Sequence, residues 1–361
     1  MKDFSSYNFY SEYPDFSVGE KQRTEYLESI ERYLAKLRHD SAAKREAYMN
    51  PASYHADPAR YRRDYYEMLG EPLSSYSRDM PAPKAAVSFV ASDEMCDIYR
   101  VQLEVMPEFL FYGLYFVPVS KRNEKTGLVV CQHGGGGAPE LCSDMMGPNN
   151  YSHITHRICD RGLRVFAPQI LVWGKVPGGH DNAVILPALE NKRQLLDRAL
   201  KQMGSSIQAV ETFSIMRSLD YFCREPLVDE NKIGMVGLSY GGFYTLMTAA
   251  ADERIVSAYS CCAMNDRFKY DWFDWTWRDS GNKFTDERVA ALVAPRRFYG
   301  EAGREDPVFT ADSVPDFNAL VKPFYAEFGA EDEFRFNIWN GGHRIDTDDK
   351  AGFDFFVEKL I

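Results

Sequence analysis

Ser239 stands in the run Gly237-Leu238-Ser239-Tyr240-Gly241, with Gly242 following, where a β-rich stretch (KIGMVG) gives way to a helical one. The G-x-S-x-G spacing needs that context. A strained bend tolerates no bulk at its flanks, and it lifts the hydroxyl clear of the sheet beside a helix N-terminus, where developing negative charge is favoured. A serine hydroxyl attacks only when a base removes its proton. Of the seven histidines, His39 and His55 fall in an N-terminal helical region, His153 and His156 lie one helical turn apart ahead of a strand, and His180 sits in an insertion. His343, in WNGGHRIDTD, follows the last β-rich run and precedes the last helix, so its loop can carry an imidazole over the carboxyl edge of a parallel sheet. The base needs an acceptor on its second nitrogen. AGREDPVF supplies Asp306, with Glu301 and Glu305 as competitors within six residues. Nucleophile, acid and base then read Ser239, Asp306, His343.

Acyl transfer also needs donors for the tetrahedral oxyanion. Tyr240, next to the nucleophile, offers one backbone N–H. The other is assigned to Gly135 in CQHGGGGAPE, with Gly134 and Gly136 as neighbouring alternatives. Four consecutive glycines cost conformational entropy unless backbone must approach something closely. His133 is then an orienting residue whose ring braces the glycine loop.

These parts need a scaffold. Residues 1–83 are polar, tyrosine-rich and helical in pattern. Tyr26, Leu27, Ile30, Tyr33, Leu34 and Leu37 share one helical stripe, which predicts an extension that buries this face against the main body. Asp57 and Pro58 open a second helix, and Gly70 and Pro72 lie past its end. From Lys84 the period changes. AAVSFVAS, IYRVQLEV and FLFYGLYFVPV read as antiparallel strands, and six brief apolar runs between 127 and 339 alternate with helical stretches. Alternation of that kind predicts a largely parallel sheet covered on both faces. Residues 84–361 thus form one domain, interrupted by insertions at about 169–206 and 264–290. Trp272, Trp275 and Trp277 in the second insertion, with Trp173 in the first, are the candidate substrate contacts.

Bulk properties exclude other classes. A net charge of −11 argues against nucleic acid and anionic membrane as partners. There is no apolar run of membrane-spanning length and no basic-then-apolar leader, so a cytoplasmic protein is expected. Seven cysteines without a CxxC pair fit reduced thiols used as small core residues.

HGGGG, GLSYGG, EDP and GGH in this order resemble the α/β-hydrolase superfamily, and within it the dienelactone-hydrolase-like and acetyl-xylan-esterase-like bacterial serine esterases. The resemblance covers residues 84–361 and extends loosely to YRRDYYEMLGEPL. It implies an α/β fold with a mostly parallel eight-stranded central sheet, helices on both faces, and a serine esterase mechanism without metal or organic cofactor. Carried over by motif, Ser239 is the nucleophile, Asp306 the acid, His343 the base, and Tyr240 and Gly135 the oxyanion donors. Two departures stand out. Dienelactone hydrolases proper carry cysteine at the elbow, and the SYGGF elbow also resembles prolyl-oligopeptidase-type peptidases, yet no propeller-length region precedes this domain.

The expected activity is hydrolysis of a small-molecule carboxylic ester through an acyl-enzyme, with acetylated carbohydrate suggested by the resemblance alone. An amidase or peptidase of the same fold and a non-catalytic binding scaffold are the alternatives. Homo-oligomerisation is left open.

Overall fold

The computed structural model describes residue 3 and residues 17–361, apart from 136, 146, 148, 171–191, 271 and 349. The N-terminal helices are α1 (Ser17–Tyr48), α2 (Pro51–Ala56) and α3 (Pro58–Leu69), and local capping sets the last two. Asn50 and Ser53 cap α2 reciprocally: the Ser53 N–H donates to Asn50 Oδ1 (3.0 Å) and the Asn50 N–H donates to Ser53 Oγ (2.9 Å). Asp57 caps α3 by accepting the Arg60 N–H at 3.0 Å, and Pro58 occupies the first turn. Gly70 then ends α3 at φ 91°. The i, i+4, i+8 set Tyr61, Tyr65 and Leu69 is buried, and the phenols tie α3 down, as where the Tyr66 hydroxyl donates to Ala251 O at 2.7 Å.

The expectation for α1 does not hold. Its apolar stripe is exposed, from 38% at Leu37 to 70% at Tyr26. Among the described residues its last turns reach the body, where Arg45 Nη1 donates to Gly281 O at 2.6 Å. A helix of 32 residues is about 48 Å long. Periodicity specifies which residues share a face, not whether anything covers it.

Among the described residues one sheet contains β1 (Lys84–Ser92), β2 (Cys96–Met106), β3 (Phe109–Pro118), β4 (Thr126–Gln132), β5 (Arg164–Pro168), β6 (Val228–Leu238), β7 (Ile255–Cys261), β8 (Arg297–Gly303) and β9 (Phe334–Trp339). The spatial order is β1-β2-β3-β5-β4-β6-β7-β8-β9. Pairs among β1, β2, β3 and β5 are antiparallel, and every neighbouring pair from β5 to β9 is parallel. The fold class is the expected one, with nine strands in place of eight. The β-rich runs read from the sequence already number nine, and the extra strand is the edge strand β1.

Interleaved helices are α4 (Pro139–Cys142) and α5 (Ile154–Asp160), α6 (Lys192–Gln202) and α7 (Ile207–Phe222), α8 (Tyr240–Ala251), α9 (Ser280–Lys283) and α10 (Asp286–Ala291), α11 (Phe317–Ala326) and α12 (Lys350–Val357). They cover both faces. In β4, Leu128 and Val130 pack with Phe213 and Leu246 from α7 and α8, whereas Val129 and Cys131 pack with Ile154 and Phe356 from α5 and α12. That two-sided burial is why β4 reads as an unbroken apolar run. Strand order switches at β4, which lies between β5 and β6, and a crevice for ligand opens at the carboxyl ends of strands at such a switch. All seven cysteines are free thiols, six of them buried. No helix among the described residues is long and apolar enough to cross a membrane.

Candidate active site

β6 delivers Ser239 to the carboxyl edge of the sheet and α8 begins one residue later. Ser239 sits at φ 61° and ψ −121°, a region that costs a side-chain-bearing residue on the order of 1–3 kcal/mol. Two hydrogen bonds hold the bend. The Ser239 N–H donates to Cys261 O (2.9 Å) on β7, and Ser239 O accepts the Phe243 N–H (2.8 Å). The flanking glycines are forced by space. A Cβ on Gly237 would lie 2.3 Å from the Gly241 carbonyl, and one on Gly241 would lie 2.0 Å from Gln132 O. The elbow therefore packs directly on the tip of β4.

His343 comes from the loop between β9 and α12, and Asp306 from the loop after β8. The His343 Nδ1–H donates to Asp306 Oδ2 at 2.7 Å. The carboxylate-only acceptor fixes this tautomer, so Nε2 carries the lone pair whenever the ring is neutral. Asp306 is itself pinned: Oδ1 accepts the N–H of Val308 (2.7 Å) and of Phe309 (3.0 Å). Burial works to raise its pKa, but the His343 contact and these backbone donors hold it below the ordinary carboxylate value. For His343, burial opposes the charge, yet Asp306 and Cys262 outweigh it and push the imidazole up to about 9. Glu305 is exposed. Glu301 is buried at the end of β8 and accepts the Asp346 N–H at 3.1 Å, which anchors the His343 loop from below.

The glycine loop lies against the nucleophile. A Cβ on Gly134 would stand 3.4 Å from Ser239 Cβ. The Gly134 N–H is committed to Tyr151 Oη (2.6 Å), and Gly134 O accepts from Gly137 N–H (3.0 Å) and from His133 Nδ1–H (2.8 Å). No acceptor for the Gly135 N–H is found among the described residues, and Gly136 lies outside them. His133 is a brace: its Nε2 accepts the Ile170 N–H and a Gln169 side-chain N–H, both at 3.1 Å. Complete burial lowers its pKa to about 4, so it stays neutral.

A family model, the prolyl oligopeptidase family, matches residues 202–323, which include Ser239 and Asp306 and stop short of His343. The chain is 25% identical over 148 residues to "Putative hydrolase YtaP" of Bacillus subtilis (strain 168), covering 39% of this chain and 50% of that protein. It thus spans about half the length of the curated relative it matches. Among solved structures it is similar to a "putative acetyl xylan esterase" of Bacteroides fragilis NCTC 9343, at TM-score 0.62 and 14% identity, over 81% of this chain and 76% of that one. It is also similar to Methylesterase BT1017, at TM-score 0.65 and 17% identity, over 90% of this chain and 68% of that one. The chain has the α/β-hydrolase fold.

In this α/β-hydrolase fold the aromatic insertion after β7 packs on the elbow helix. Trp272 stacks on the Tyr240 ring (centroids 5.5 Å apart, 18° between planes) and lies 5.5 Å from Phe309, whose ring in turn stands 5.8 Å from His343. Trp275 is buried, stacked between Phe243 at 4.3 Å and Phe309 at 5.8 Å, so it is a wall behind the site. Trp277 stands parallel to Phe243 at 6.3 Å. Trp173 lies outside the described residues.

Sequence reasoning missed a buried charge cluster under Tyr240. The Tyr240 hydroxyl donates to Asp274 (2.9 Å), Arg193 Nε donates to the same carboxylate (2.7 Å), and Arg193 Nη1 donates to Glu211 (3.0 Å). Tyr244 bonds both Arg193 Nη2 (2.8 Å) and Glu211. The cluster joins α6, α7, α8 and the aromatic insertion at a single buried guanidinium. Nothing in the spacing of Arg193, Glu211 and Asp274 announces it, because the three meet only through tertiary packing. Cys262 was missed as well. It follows β7 at φ 47° and lies against His343.

Proposed function

We propose that this protein is a serine hydrolase that cleaves carboxylic esters through an acyl-enzyme intermediate. The observation that carries the reading is the 2.7 Å contact from His343 to Asp306 at the strand tips that also carry the bent Ser239. Ser239 Oγ attacks the ester carbonyl carbon while His343 Nε2 takes its proton. The carbonyl oxygen becomes an oxyanion received by the N–H groups of Tyr240 and Gly135. The C–O bond to the alcohol breaks, and His343 returns the proton to the leaving alkoxide. Water then attacks the acyl group with His343 again as base, and a carboxylic acid departs from regenerated Ser239. Asp306 holds the ring and stabilises the imidazolium throughout. None of these steps calls on a metal or organic cofactor.

The "putative acetyl xylan esterase" among the structural neighbours supports an acetylated carbohydrate as the ester. Trp272, partly exposed beside Tyr240, is the aromatic residue suited to touch it. Seven free thiols support a cytoplasmic setting. Replacement of Ser239 by Ala should abolish turnover of p-nitrophenyl acetate and labelling by a fluorophosphonate. Turnover kept within about tenfold removes the serine from the mechanism, because triad members act as a unit. The match to the prolyl oligopeptidase family favours a second reading, an amidase or peptidase using the same residues. Matched acetate-ester and anilide substrates separate the two. A non-catalytic scaffold predicts no labelling at all.

A further inference from the structure

Residues 149–152, between α4 and α5, touch two parts of the site at once. On one side the buried Tyr151 accepts the Gly134 N–H at 2.6 Å. Burial pushes the phenol pKa up, so the group meets the glycine loop as a neutral hydroxyl. The fit is close. A Cβ on Gly137 would lie 2.7 Å from Tyr151 Oη, and one on Gly134 would lie 3.2 Å from Tyr151 Oη and 3.4 Å from Ser239 Cβ. Gly134 therefore borders both the phenol and the nucleophile.

On the other side the same segment grips the loop of His343. Asn150 Nδ2 donates to His343 O (3.2 Å), Asn150 O accepts the Ile345 N–H (3.1 Å), and Ser152 Oγ donates to Ile345 O (2.8 Å). Asn149 locks the segment in place. Its Nδ2 donates to Leu141 O (2.7 Å) and Gly147 O (3.2 Å), and its Oδ1 accepts the Tyr151 N–H (2.9 Å). Ser152 and His153 stand at φ 55° and 56°, two successive left-handed residues that carry side chains. Such backbone persists only where its surroundings over-determine it, and strain of this kind gathers at functional sites.

We propose that Tyr151 is a positioning residue for the oxyanion loop, and that residues 149–152 tie that loop and the His343 loop into one brace. The inference rests on the serine-hydrolase reading and supplies a cause for its geometry. By taking the Gly134 N–H, the phenol fixes the peptide before Gly134 and leaves the following N–H, that of Gly135, for the oxyanion. Without the phenol oxygen the Gly134 N–H is left without its acceptor, and the loop must shift to find another. Misplacement of a positioning group by about 1 Å costs up to about 10²-fold in rate.

Tyr151→Phe keeps the ring and removes only the acceptor. Its kcat on p-nitrophenyl acetate, per active site titrated to completion with a fluorophosphonate, should fall at least tenfold. KM should change less than threefold, and the pH midpoint of kcat/KM should not move. A role in folding alone would lower the melting temperature and the titrated fraction while leaving kcat per site intact, and that result overturns the proposal. Ser152→Ala releases Ile345 O at the other end of the brace and should cost at least threefold. The double variant should lose less than the product of the two factors, because one segment serves both loops. A loss equal to the product overturns the shared brace. Ser239→Ala separates this test from the reading beneath it. If that variant keeps turnover, the hydrolase reading fails and the role of Tyr151 with it. If it is dead and Tyr151→Phe keeps full kcat per site, only the role of Tyr151 fails.

Discussion

Cys262 and His343 meet at the tips of β7 and the loop after β9, and each favours the charged form of the other. One donor atom from each, and one from Asp306, lie within 4.8 Å of one another. The neighbouring Cys261 thiol does most to lower the Cys262 pKa, burial opposes it, and His343 lowers it further, to about 6. The imidazole rises to about 9 with Asp306 as the larger supporting partner. The base is therefore held as imidazolium at neutral pH.

That relationship fixes the pH profile. His343 accepts the Ser239 proton only when neutral, so kcat/KM for p-nitrophenyl acetate should climb as pH rises through about 9 and level off above it. Cys262→Ala removes one stabiliser of the imidazolium while Asp306 remains. The midpoint should move down, toward the ordinary imidazole value without reaching it. An unchanged midpoint in the variant would show that the thiol does not act on the base.

Asp306→Asn keeps the size of the side chain and takes away the carboxylate. An amide can present its NH₂ to Nδ1 and so favours the wrong tautomer. Activity should fall by about 10³–10⁴-fold with little change in far-UV circular dichroism. A loss below tenfold would return Glu301 or Glu305 to consideration as the acid.

How much of this was legible beforehand depended on whether the signal was local. The elbow at 237–241, the caps Asp57 and Pro58 and the two-sided burial of β4 are local patterns, and each was readable as such. The placement of Ser239, Asp306 and His343 at the carboxyl edge of a parallel sheet was legible from strand order, and their catalytic roles belong to the proposed function. The choice of Asp306 over Glu301 rested on its distance past the strand end. The structure gives the reason: Glu301 is still inside β8, buried beneath the edge. The fate of the α1 stripe and the Arg193 cluster were illegible, since both depend on which distant surface arrives.

Glu301 itself yields a stability test. Burial pushes its carboxyl up to about 8. The native state then binds more protons than the unfolded one between about 4.5 and 8, so this group makes stability fall as pH rises across that window. The loss amounts to at most about 4 kcal/mol. Glu301→Gln stays neutral throughout and can still accept the Asp346 N–H. Its melting temperature relative to wild type should improve from pH 5 to pH 8. A difference independent of pH would mean that Glu301 does not titrate in this range.

Gly241→Ala tests the elbow sterically. The added methyl would sit 2.0 Å from Gln132 O, a backbone atom that cannot rotate away. The strand tip and α8 must separate, at a cost of about 3 kcal/mol or more. The variant should be poorly soluble or melt well below wild type, and any folded fraction should resist fluorophosphonate labelling.

Tyr240→Phe separates the two jobs of one residue. Its backbone N–H is the proposed oxyanion donor, whereas its hydroxyl serves the buried cluster by donating to Asp274 at 2.9 Å. Phenylalanine keeps the first and deletes the second. Asp274 retains Arg193 Nε at 2.7 Å, so the cost in urea unfolding should be about 1–3 kcal/mol. Arg193→Met, which leaves Asp274 and Glu211 buried without the guanidinium between them, should cost more, about 3–5 kcal/mol. Turnover in Tyr240→Phe should drop by less than about tenfold, well short of the 10²–10³ expected when an oxyanion donor is removed. If kcat instead falls a thousandfold with stability intact, the hydroxyl takes part in the chemistry and the backbone assignment is wrong.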